Sequence, residues 1–277
     1  MMKFNDFIFN YRSCLSSLLK NKSYFIFIKR SILLPYKYLI SIFRDFFLNT
    51  NIDKEVLLDS DNSLDSIFKH FDCDKSSAVH GYSKFYFDEL EKLRKSKINI
   101  LEFGIHYGAS QAAFCKYFKD SKIIGVDKNP YFKKFFSKNI RSLYCDVSDS
   151  HSLYLLRKYL KEEIDLIIDD ASHIPNHQLK TFTQMFNVLK SKGIYVIEEL
   201  DVFKSFPESY NKNLDNNDSE IRNFLYLIKD NSIEVSKKIK DQDILSLAKN
   251  IEWVKILRGN YIVNNKNISE IAFIKKK

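Results

Sequence analysis

Carboxylates end each of five short apolar segments between residues 98 and 199. Each segment has the length and composition of a buried strand. In an open parallel α/β sheet, ligands bind beyond the carboxyl ends of the strands, so acids at these positions are placed to hold a ligand. The acids are Glu102, Asp127, Asp146, Asp169 with Asp170, and Glu198 with Glu199.

Two of these acid clusters predict a metal site. If the fourth and fifth strands are neighbours, Asp170, Glu198 and Glu199 converge at one edge of the sheet. Such carboxylates repel one another unless a cation lies between them, and oxygen ligands favour Mg²⁺ first, then Ca²⁺ or Mn²⁺. The alternative is that these acids are solvated or cap the next helix.

A histidine follows the first of these clusters. His173 lies three residues after Asp170, where it can stand beside such an ion. Because histidine titrates near neutral pH, it is a natural general base for a hydroxyl proton, and a divalent ion bound to that hydroxyl lowers the hydroxyl's pKa. We therefore expect His173 and Asp170 to be catalytic and His177 to orient the site. The alternative is that the histidines are structural.

The first strand runs into a glycine turn with the spacing Glu102-x-Gly104-x-x-x-Gly108. A dinucleotide-binding turn would carry its second glycine where His106 stands, and a histidine there obstructs a diphosphate. The spacing suits S-adenosylmethionine, which has a ribose and an amino-acid tail but no phosphate. Asp127 then falls where such sheets hold ribose hydroxyls. The alternative is that the glycines serve only the geometry of the turn.

The hydrophobic pattern predicts a doubly wound α/β fold. We expect strands at 98–102, 122–127, 142–146, 164–170 and 193–199, and helices over 82–95, 148–160, 178–190 and 220–230. Ser148 is the expected N-cap of its helix. Segments 253–263 and 268–274 predict a closing antiparallel hairpin. The expected architecture is a Rossmann-like, mostly parallel seven-stranded sheet with a C-terminal hairpin and a helical N-terminal extension.

Residues 1–50 form a basic, aromatic segment. They hold eight Lys and Arg against two Asp, together with twelve aromatic residues. Helices are expected at 4–20 and 23–48, with Pro35 breaking or starting a helix. The longest apolar run, Tyr24–Ile28, is far short of the roughly 20 residues that span a bilayer. The segment is typical of a helix that contacts a membrane surface, or that packs on the domain or on a second subunit.

The remaining composition bounds the class of protein. The acidic stretch 50–75 predicts a boundary between an extension, 1–73, and a domain, 74–277. Four scattered cysteines without a CxxC pair argue against a zinc site or a disulfide framework and fit a reducing compartment. No signal peptide is visible and no nucleic-acid motif accompanies the basic charge. We therefore expect a cytoplasmic protein without a nucleic-acid partner, placed at the inner face of the membrane if residues 1–50 bind lipid.

Four strings together resemble the class I S-adenosylmethionine-dependent methyltransferases. They are LEFGIHYGAS, IIGVDKNP, IDLIIDDASHIPNHQL and GIYVIEELD. Within that class they are most similar to the metal-dependent sugar O-methyltransferases of the macrocin and mycinamicin type. The resemblance covers residues 74–277, and the Asp74, Lys75, His80, Gly81 and Tyr82 string resembles the segment that leads into the family's domain.

The resemblance implies an enzyme that moves a methyl group to a hydroxyl of a sugar or a nucleotide-linked sugar. It implies that Asp170, Glu198 and Glu199 hold Mg²⁺ and that His173 takes the hydroxyl proton. Glu102, Gly104 and Gly108 would line the methionine and ribose end of S-adenosylmethionine. The expected cofactor set is completed by Asp127 at the ribose, Asp146 near the adenine, and Ser110 and Asp169. One departure is that the family usually carries Glu-Asp where this chain has Glu198 and Glu199.

Two other functions fit the same fold. An enzyme of this class could methylate an amine or another nucleophile. A membrane-peripheral scaffold could carry an inactive domain, although Glu102, Asp127, Asp170 and His173 together argue against that.

Overall fold

A seven-stranded sheet forms the centre of the protein. The computed structural model describes residues 4–20, 24–57, 63–210, 219–230 and 242–277. The strands are β1 Asn99–Phe103, β2 Lys122–Asp127, β3 Ile140–Tyr144, β4 Ile164–Asp169, β5 Leu189–Ile197, β6 Ile251–Arg258 and β7 Glu270–Lys276. Their order across the sheet is β3-β2-β1-β4-β5-β7-β6. The first five strands are parallel and β7 is antiparallel to both neighbours, which confirms the expected fold class.

Apolar residues cover both faces of this sheet because its strands alternate between two cores. Leu101 and Phe103 of β1 lie in one buried cluster, and Ile100 lies in the other. The β4 strand is buried along its whole length, as expected of a central parallel strand. Since β1 is flanked by β2 and β4, the chain changes direction across the sheet at β1, which is where such sheets open a ligand crevice.

Helices pack on both faces, and several begin at positions other than those predicted. In the domain they are α3 Leu64–His70, α4 Ser83–Leu90, α5 Ala109–Tyr117, α6 Ser150–Tyr159, α7 Pro175–Met185, α8 Val202–Ser205, α9 Pro207–Tyr210, α10 Glu220–Lys229 and α11 Gln242–Ala248. The N-cap of α6 is Asp149, whose carboxylate accepts the His151 N–H, so the prediction of Ser148 as N-cap is wrong. Helix α7 begins earlier than predicted, since Pro175 suits the first helical turn.

Several strand boundaries differ by a few residues from those predicted, and the last strand, predicted at 268–274, is Glu270–Lys276. The third strand ends at Tyr144, two residues before the predicted end, so Asp146 lies in the loop beyond it. The fifth strand begins at Leu189 rather than at residue 193. Strand β6 ends at Arg258, and the predicted continuation to residue 263 is instead a separate small ladder that pairs Ile262–Val263 with Lys266–Asn267. Part of the polar loop expected over 201–218, and part of the helical or irregular segment expected over 231–250, lie outside the described residues.

The N-terminal helices are α1 Phe4–Lys20 and α2 Tyr24–Phe47. Helix α1 lies against β3 and α6, and Asn10 fixes it there by donating to Ser142 O and accepting from Tyr144 N–H. Helix α2 packs on α1 and runs through Pro35, so the prediction of a break or start at this proline is wrong. Proline's fixed φ is compatible with a helix, and packing offsets the backbone hydrogen bond that it removes. No helix among the described residues combines the length and apolarity needed to cross a membrane.

The acidic stretch before the domain is partly folded onto it. Ile52, Leu64 and Phe68 are buried in the same cluster as Ile100 of the sheet. Asp65 accepts hydrogen bonds from Ser77 and Ser83, which help to hold its pKa well below the usual value against the effect of burial. Packing is therefore continuous across the predicted boundary at residues 73 and 74.

Candidate active site

A cleft with two lobes opens at the carboxyl ends of the parallel strands. The Glu102 lobe encloses about 290 Å³ and includes Asp74, Glu102, Ser110, Lys134 and Asp170 in its lining. The Asp127 lobe encloses about 280 Å³ and includes Asp127, Asp146, Ser172 and His177 in its lining. Gly104 lines both lobes, so it stands where the two meet.

Two glycines shape this cleft. Gly104 has φ +95°, and a Cβ there would lie 2.1 Å from the carbonyl oxygen of Asp170. Both the backbone conformation and the close approach therefore require glycine at this position. Gly108 has φ +83° and is the N-cap of α5, whose first residues line the Glu102 lobe. The structure thus places the turn predicted from the glycine spacing at the mouth of the cleft.

Glu102 lies fully buried at the end of β1 and lines the cleft. Its Oε1 accepts a hydrogen bond from Ser110 Oγ at 2.5 Å. Its Oε2 has no hydrogen-bond partner among the described residues. Burial raises the pKa of Glu102 to about 7. A buried carboxylate oxygen without a partner at the edge of a cleft fits a ligand that brings donors or positive charge.

Asp127 and Asp146 stand together in the other lobe. Asp127 accepts the Ile105 N–H on Oδ2 at 3.1 Å and the Asn129 N–H on Oδ1 at 2.7 Å. Asp146 accepts from the N–H and the hydroxyl of Ser148 on its Oδ1. Backbone donors therefore fix Asp127 at the end of β2 and Asp146 in the loop after β3.

Asp169 does not reach the cleft, although it was expected in the cofactor set. It is buried and lines neither lobe, whereas the next residue, Asp170, lines the Glu102 lobe. Consecutive side chains of an extended strand point to opposite faces, so only one of the two acids can face the cleft. Burial and the charge of Asp170 raise the pKa of Asp169 to about 8.

The ammonium of a lysine lies between two of the three predicted metal ligands. Lys75 Nζ is 2.5 Å from Asp170 Oδ2 and 2.9 Å from Glu198 Oε2. Glu198 also accepts from Tyr86 OH on Oε1 at 2.5 Å. Burial alone would lower the pKa of Lys75, but Asp170 and Glu198 raise it well above the usual value. Lys75 is therefore a buried cation that already balances two neighbouring carboxylates.

Glu199 bridges two histidines. Its Oε1 lies 3.1 Å from His80 Nε2, and its Oε2 lies 3.5 Å from His173 Nε2. Asp170 Oδ1 is 3.9 Å from the same nitrogen of His173. The second ring nitrogen of His80 lies 3.1 Å from Ser269 Oγ, which fixes that imidazole from the other side. Burial together with Asp170 and Asp74 raises the pKa of Glu199, while His173 opposes that rise.

Backbone strain concentrates around the same residues. His106, His173 and Glu199 all have positive φ, at 46°, 54° and 53°. Non-glycine residues adopt this conformation rarely, and it persists where surrounding structure fixes it, often at functional sites. The strain supports a site in which the positions of His173 and Glu199 are set by the fold.

The sequence-predicted residues therefore meet only in part. The structure brings Asp170, Glu198, Glu199 and His173 together, next to the lobe that contains Glu102. Across the described ranges, no group of three or more His, Cys, Asp or Glu side chains is arranged to hold a metal ion. The metal set thus stays a prediction, and Lys75 is the cation that the structure places between two of its members.

Four neighbours of the site had no assigned role in the sequence. All four lie between residues 74 and 86, a segment ahead of the first strand that is rich in charged and aromatic residues. The sequence of this segment does not indicate which residues it contacts, because Lys75 and its partner Asp170 are 95 residues apart. These neighbours are Asp74, Lys75, His80 and Tyr86.

Comparison with known proteins agrees with this geometry. Residues 101–200 match the family described as a methyltransferase domain. The chain is 31% identical over 138 residues to the 8-demethyl-8-(2-methoxy-alpha-L-rhamnosyl)-tetracenomycin-C 3'-O-methyltransferase of Streptomyces olivaceus, covering 46% of this chain and 34% of that protein. It is 30% identical over 170 residues to the L-olivosyl-oleandolide 3-O-methyltransferase of Streptomyces antibioticus, covering 58% and 42%.

Among solved structures, the fold is similar to the MycE methyltransferase of the mycinamycin pathway in complex with Mg, SAH and mycinamycin VI. The TM-score is 0.59 at 18% identity, covering 77% of this chain and 54% of MycE. The chain spans about a third to two fifths of the length of the two Streptomyces relatives. Residues 101–200 therefore match a methyltransferase domain, and the chain as a whole has the fold of a solved methyltransferase structure.

Proposed function

We propose that this chain transfers a methyl group from S-adenosylmethionine to a hydroxyl group of a sugar. The observation that carries the proposal is that His173 Nε2 lies 3.9 Å from Asp170, which lines the Glu102 lobe, and 3.5 Å from Glu199. Methylation of a hydroxyl group requires a general base next to the cofactor that removes the hydroxyl proton. The names of the two Streptomyces relatives, both sugar O-methyltransferases, support a sugar as the acceptor.

The cofactor contacts are part of this proposal. Glu102, with its unpartnered Oε2, Gly104 and Ser110 would hold the methionine end. Asp127 would accept from the ribose hydroxyls, and Asp146 would lie on the adenine side. When bound, S-adenosylmethionine supplies a methyl group that its sulfonium has already activated.

The chain's own task is then to position and deprotonate the acceptor. The imidazole of His173 would take the proton of the sugar hydroxyl, so that the hydroxyl oxygen could accept the methyl group from the sulfonium and leave S-adenosylhomocysteine as the second product. Asp170 and Glu199 flank that imidazole and stabilise the imidazolium that forms. His80 holds Glu199 from the opposite side at 3.1 Å. Because the methyl donor is already activated, positioning contributes most of the rate.

Mg²⁺ belongs to the proposal as an ion held by Asp170, Glu198 and Glu199, which would orient the sugar hydroxyls. The oxygen donors are of the right kind for this hard ion. Asp74 adds a fourth carboxyl group to the cluster, in which the ammonium of Lys75 lies between Asp170 and Glu198. An ion at this position would take over the counter-charge that Lys75 provides between Asp170 and Glu198.

The position of Lys75 favours a second version of the same reaction, in which the ammonium replaces the metal. Both versions share the fold, the cofactor cleft and His173, and they differ only in the cation that balances the carboxylates. The finer identity of the acceptor is part of the proposal: a sugar of a natural product or a surface polysaccharide, free or nucleotide-linked.

The test is to incubate the full chain with S-adenosylmethionine, Mg²⁺ and a panel of free and nucleotide-linked sugars, and to score a methyl gain by mass. Product from at least one sugar with the wild type, and none with His173→Ala, supports the proposal. Methylation of amines alone would contradict it. Activity that survives excess chelator would remove Mg²⁺ from the mechanism and assign its place to Lys75.

Metal binding needs a readout of its own. Mn²⁺ titration followed by electron paramagnetic resonance should show bound ion in the wild type and lose it in Asp170→Asn. The matched control is Glu252→Gln, an exposed acid at the start of β6 that pairs with Lys192. Equal Mn²⁺ binding in the wild type and Asp170→Asn would contradict this site.

A further inference from the structure

An apolar face of α2 points away from the protein. Its members recur every three or four residues, so they form one stripe along the helix, about 28 Å long at 1.5 Å per residue. Each side chain is between 56% and 72% exposed, where a packed helix would bury them. We call this stripe the α2 apolar face; it consists of Ile28, Ile32, Tyr36, Leu39, Phe43 and Phe47.

The opposite side of the helix holds it to the domain and is partly polar. Leu34, Ser41 and Asp45 are buried there. Asp45 lies 3.6 Å from the buried ammonium of Lys133. The burial pattern is thus the reverse of an ordinary surface helix, since polar groups face inward and large apolar groups face outward. A contiguous exposed apolar stripe of this size marks an interaction surface.

The exposed charges described on the two N-terminal helices are all of one sign. The exposed charged side chains described on α1 and α2 are Arg12, Lys20, Lys29 and Lys37. The two acids of these helices are buried, Asp6 against Arg141 and Asp45 against Lys133. A partner of this surface therefore offers apolar contact and negative charge together.

We propose that the α2 apolar face lies on an anionic membrane surface. A helix in the plane of a bilayer inserts its apolar side at the level of the headgroups and places its basic residues against anionic lipids, which is the combination that α2 presents. A second copy of the chain is a poorer occupant, because two-fold pairing would bring two basic faces together. The face binds in the plane, as no described helix is able to cross the membrane.

This surface continues to the rim of the cleft. The Arg44 guanidinium lies over the ring of Phe132, 5.1 Å from its centroid, and donates to the Lys133 carbonyl. Phe132 is itself 53% exposed, and its ring lies 6.4 Å from that of Tyr107, which lines the Glu102 lobe. Membrane binding through α2 therefore brings the mouth of the cleft close to the lipid surface.

The test is flotation of the full chain with vesicles of phosphatidylcholine alone and of phosphatidylcholine with 30% phosphatidylglycerol. The wild type should bind the anionic vesicles, and Ile32→Glu/Phe43→Glu should reduce binding at least ten-fold. The control Val56→Glu/Tyr154→Glu adds the same charge at exposed apolar residues of other elements and should bind like the wild type. Ile32→Ser/Phe43→Ser keeps the net charge, so its loss of binding separates apolar insertion from attraction by the basic charge alone.

Circular dichroism and thermal melts of each variant establish that the fold is intact, which is expected because every substituted side chain is exposed. Three results would overturn the proposal. The wild type could float with neither kind of vesicle, the two double glutamate variants could lose vesicle binding equally, or the double serine variant could bind vesicles like the wild type. Light scattering that shows a wild-type dimer and a monomeric Ile32→Glu/Phe43→Glu, without vesicle binding, would assign the face to a second copy instead.

Discussion

Lys75 places its ammonium 2.9 Å from Glu198 Oε2, deep in the protein, with only 1% of its side chain exposed. The same ammonium reaches Asp170, so one side chain ahead of the first strand joins the tips of β4 and β5. Burying these charges is favourable only while they are paired. This ion-pair cluster therefore ties the segment before the sheet to the site that His173 occupies.

Replacing the lysine should be costly. Lys75→Met leaves Asp170 and Glu198 without their buried counter-charge, so we expect the free energy of unfolding to fall by about 3 to 5 kcal/mol. Urea denaturation of Lys75→Met and of the wild type measures this difference in the free energy of unfolding. If Mg²⁺ is able to take the place of the ammonium, adding it should restore part of the loss.

The control for this variant is Lys255→Met, which removes an exposed ion pair with Glu89 at 2.6 Å. Exposed pairs contribute about 0 to 1 kcal/mol, so its unfolding curve should stay near that of the wild type. Equal effects of the two lysine substitutions would show that the buried cluster contributes no special stability.

The sheet and the residues at its strand tips were predictable because their signals are local. A short apolar run followed by an acid marks a strand end at Glu102 and at Asp127 without any knowledge of partners. Alternation along an extended strand also explains why two consecutive acids differ: Asp170 lines the Glu102 lobe, whereas Asp169 is buried and lines neither lobe. That distinction was available in the sequence once the strand's direction was known.

Other features depend on contacts that sequence patterns do not encode. Lys75 meets Asp170 across 95 residues of chain, and His80 meets Glu199 only because the loop before α4 folds back over the sheet edge. Helix α2 was predicted as a helix, but which side faces the domain is decided by its contacts with α1 and Lys133. The local sequence pattern therefore predicts that α2 is a helix, whereas its packing against other parts of the chain determines which side faces the domain.

Two glycines of the turn should respond differently to alanine. In Gly104→Ala the new Cβ would meet backbone 2.1 Å away, so we expect a loss of about 3 kcal/mol or more and at least ten-fold weaker binding of S-adenosylmethionine. In Gly108→Ala the nearest atom is 3.7 Å away, and only the positive φ costs about 1 kcal/mol. Calorimetric titration and denaturation measure both; similar losses in the two variants would contradict the close-approach argument.

Stability should depend on pH through Glu102. Its pKa rises from 4.5 to about 7 on folding, so the folded protein is most favoured when this carboxyl is protonated. The contribution is fully present below about pH 4.5 and is lost as the pH rises through 7. At pH 8 the free energy of unfolding of Glu102→Gln should therefore be roughly 3 kcal/mol higher than that of the wild type. At pH 4 the two free energies should differ little.

Unfolding curves of wild type and Glu102→Gln at a series of pH values measure this gap. Glu252→Gln is the control, because the hydrogen bond with Lys192 lowers the pKa of that exposed carboxylate, so its curve should run parallel to that of the wild type at pH values above 4.5. A gap between the Glu102→Gln and wild-type curves that does not change with pH would show that Glu102 keeps an ordinary pKa in the folded protein.

Replacing His173 should reduce kcat far more than it weakens the binding of S-adenosylmethionine. A positioned general base contributes roughly 10²- to 10⁴-fold, so His173→Ala should lower kcat by that factor. Its side chain lies on the Asp170 and Glu199 side of the Glu102 lobe and is not among the residues that line the Asp127 lobe, so the Kd for S-adenosylmethionine should stay within about two-fold. The control is His151→Ala, whose ring contacts Ser16 of α1 at 2.9 Å and should leave kcat unchanged. An unchanged kcat in His173→Ala, or a Kd that worsens as much as kcat falls, would remove His173 from the role of base and make it a residue that supports the cofactor.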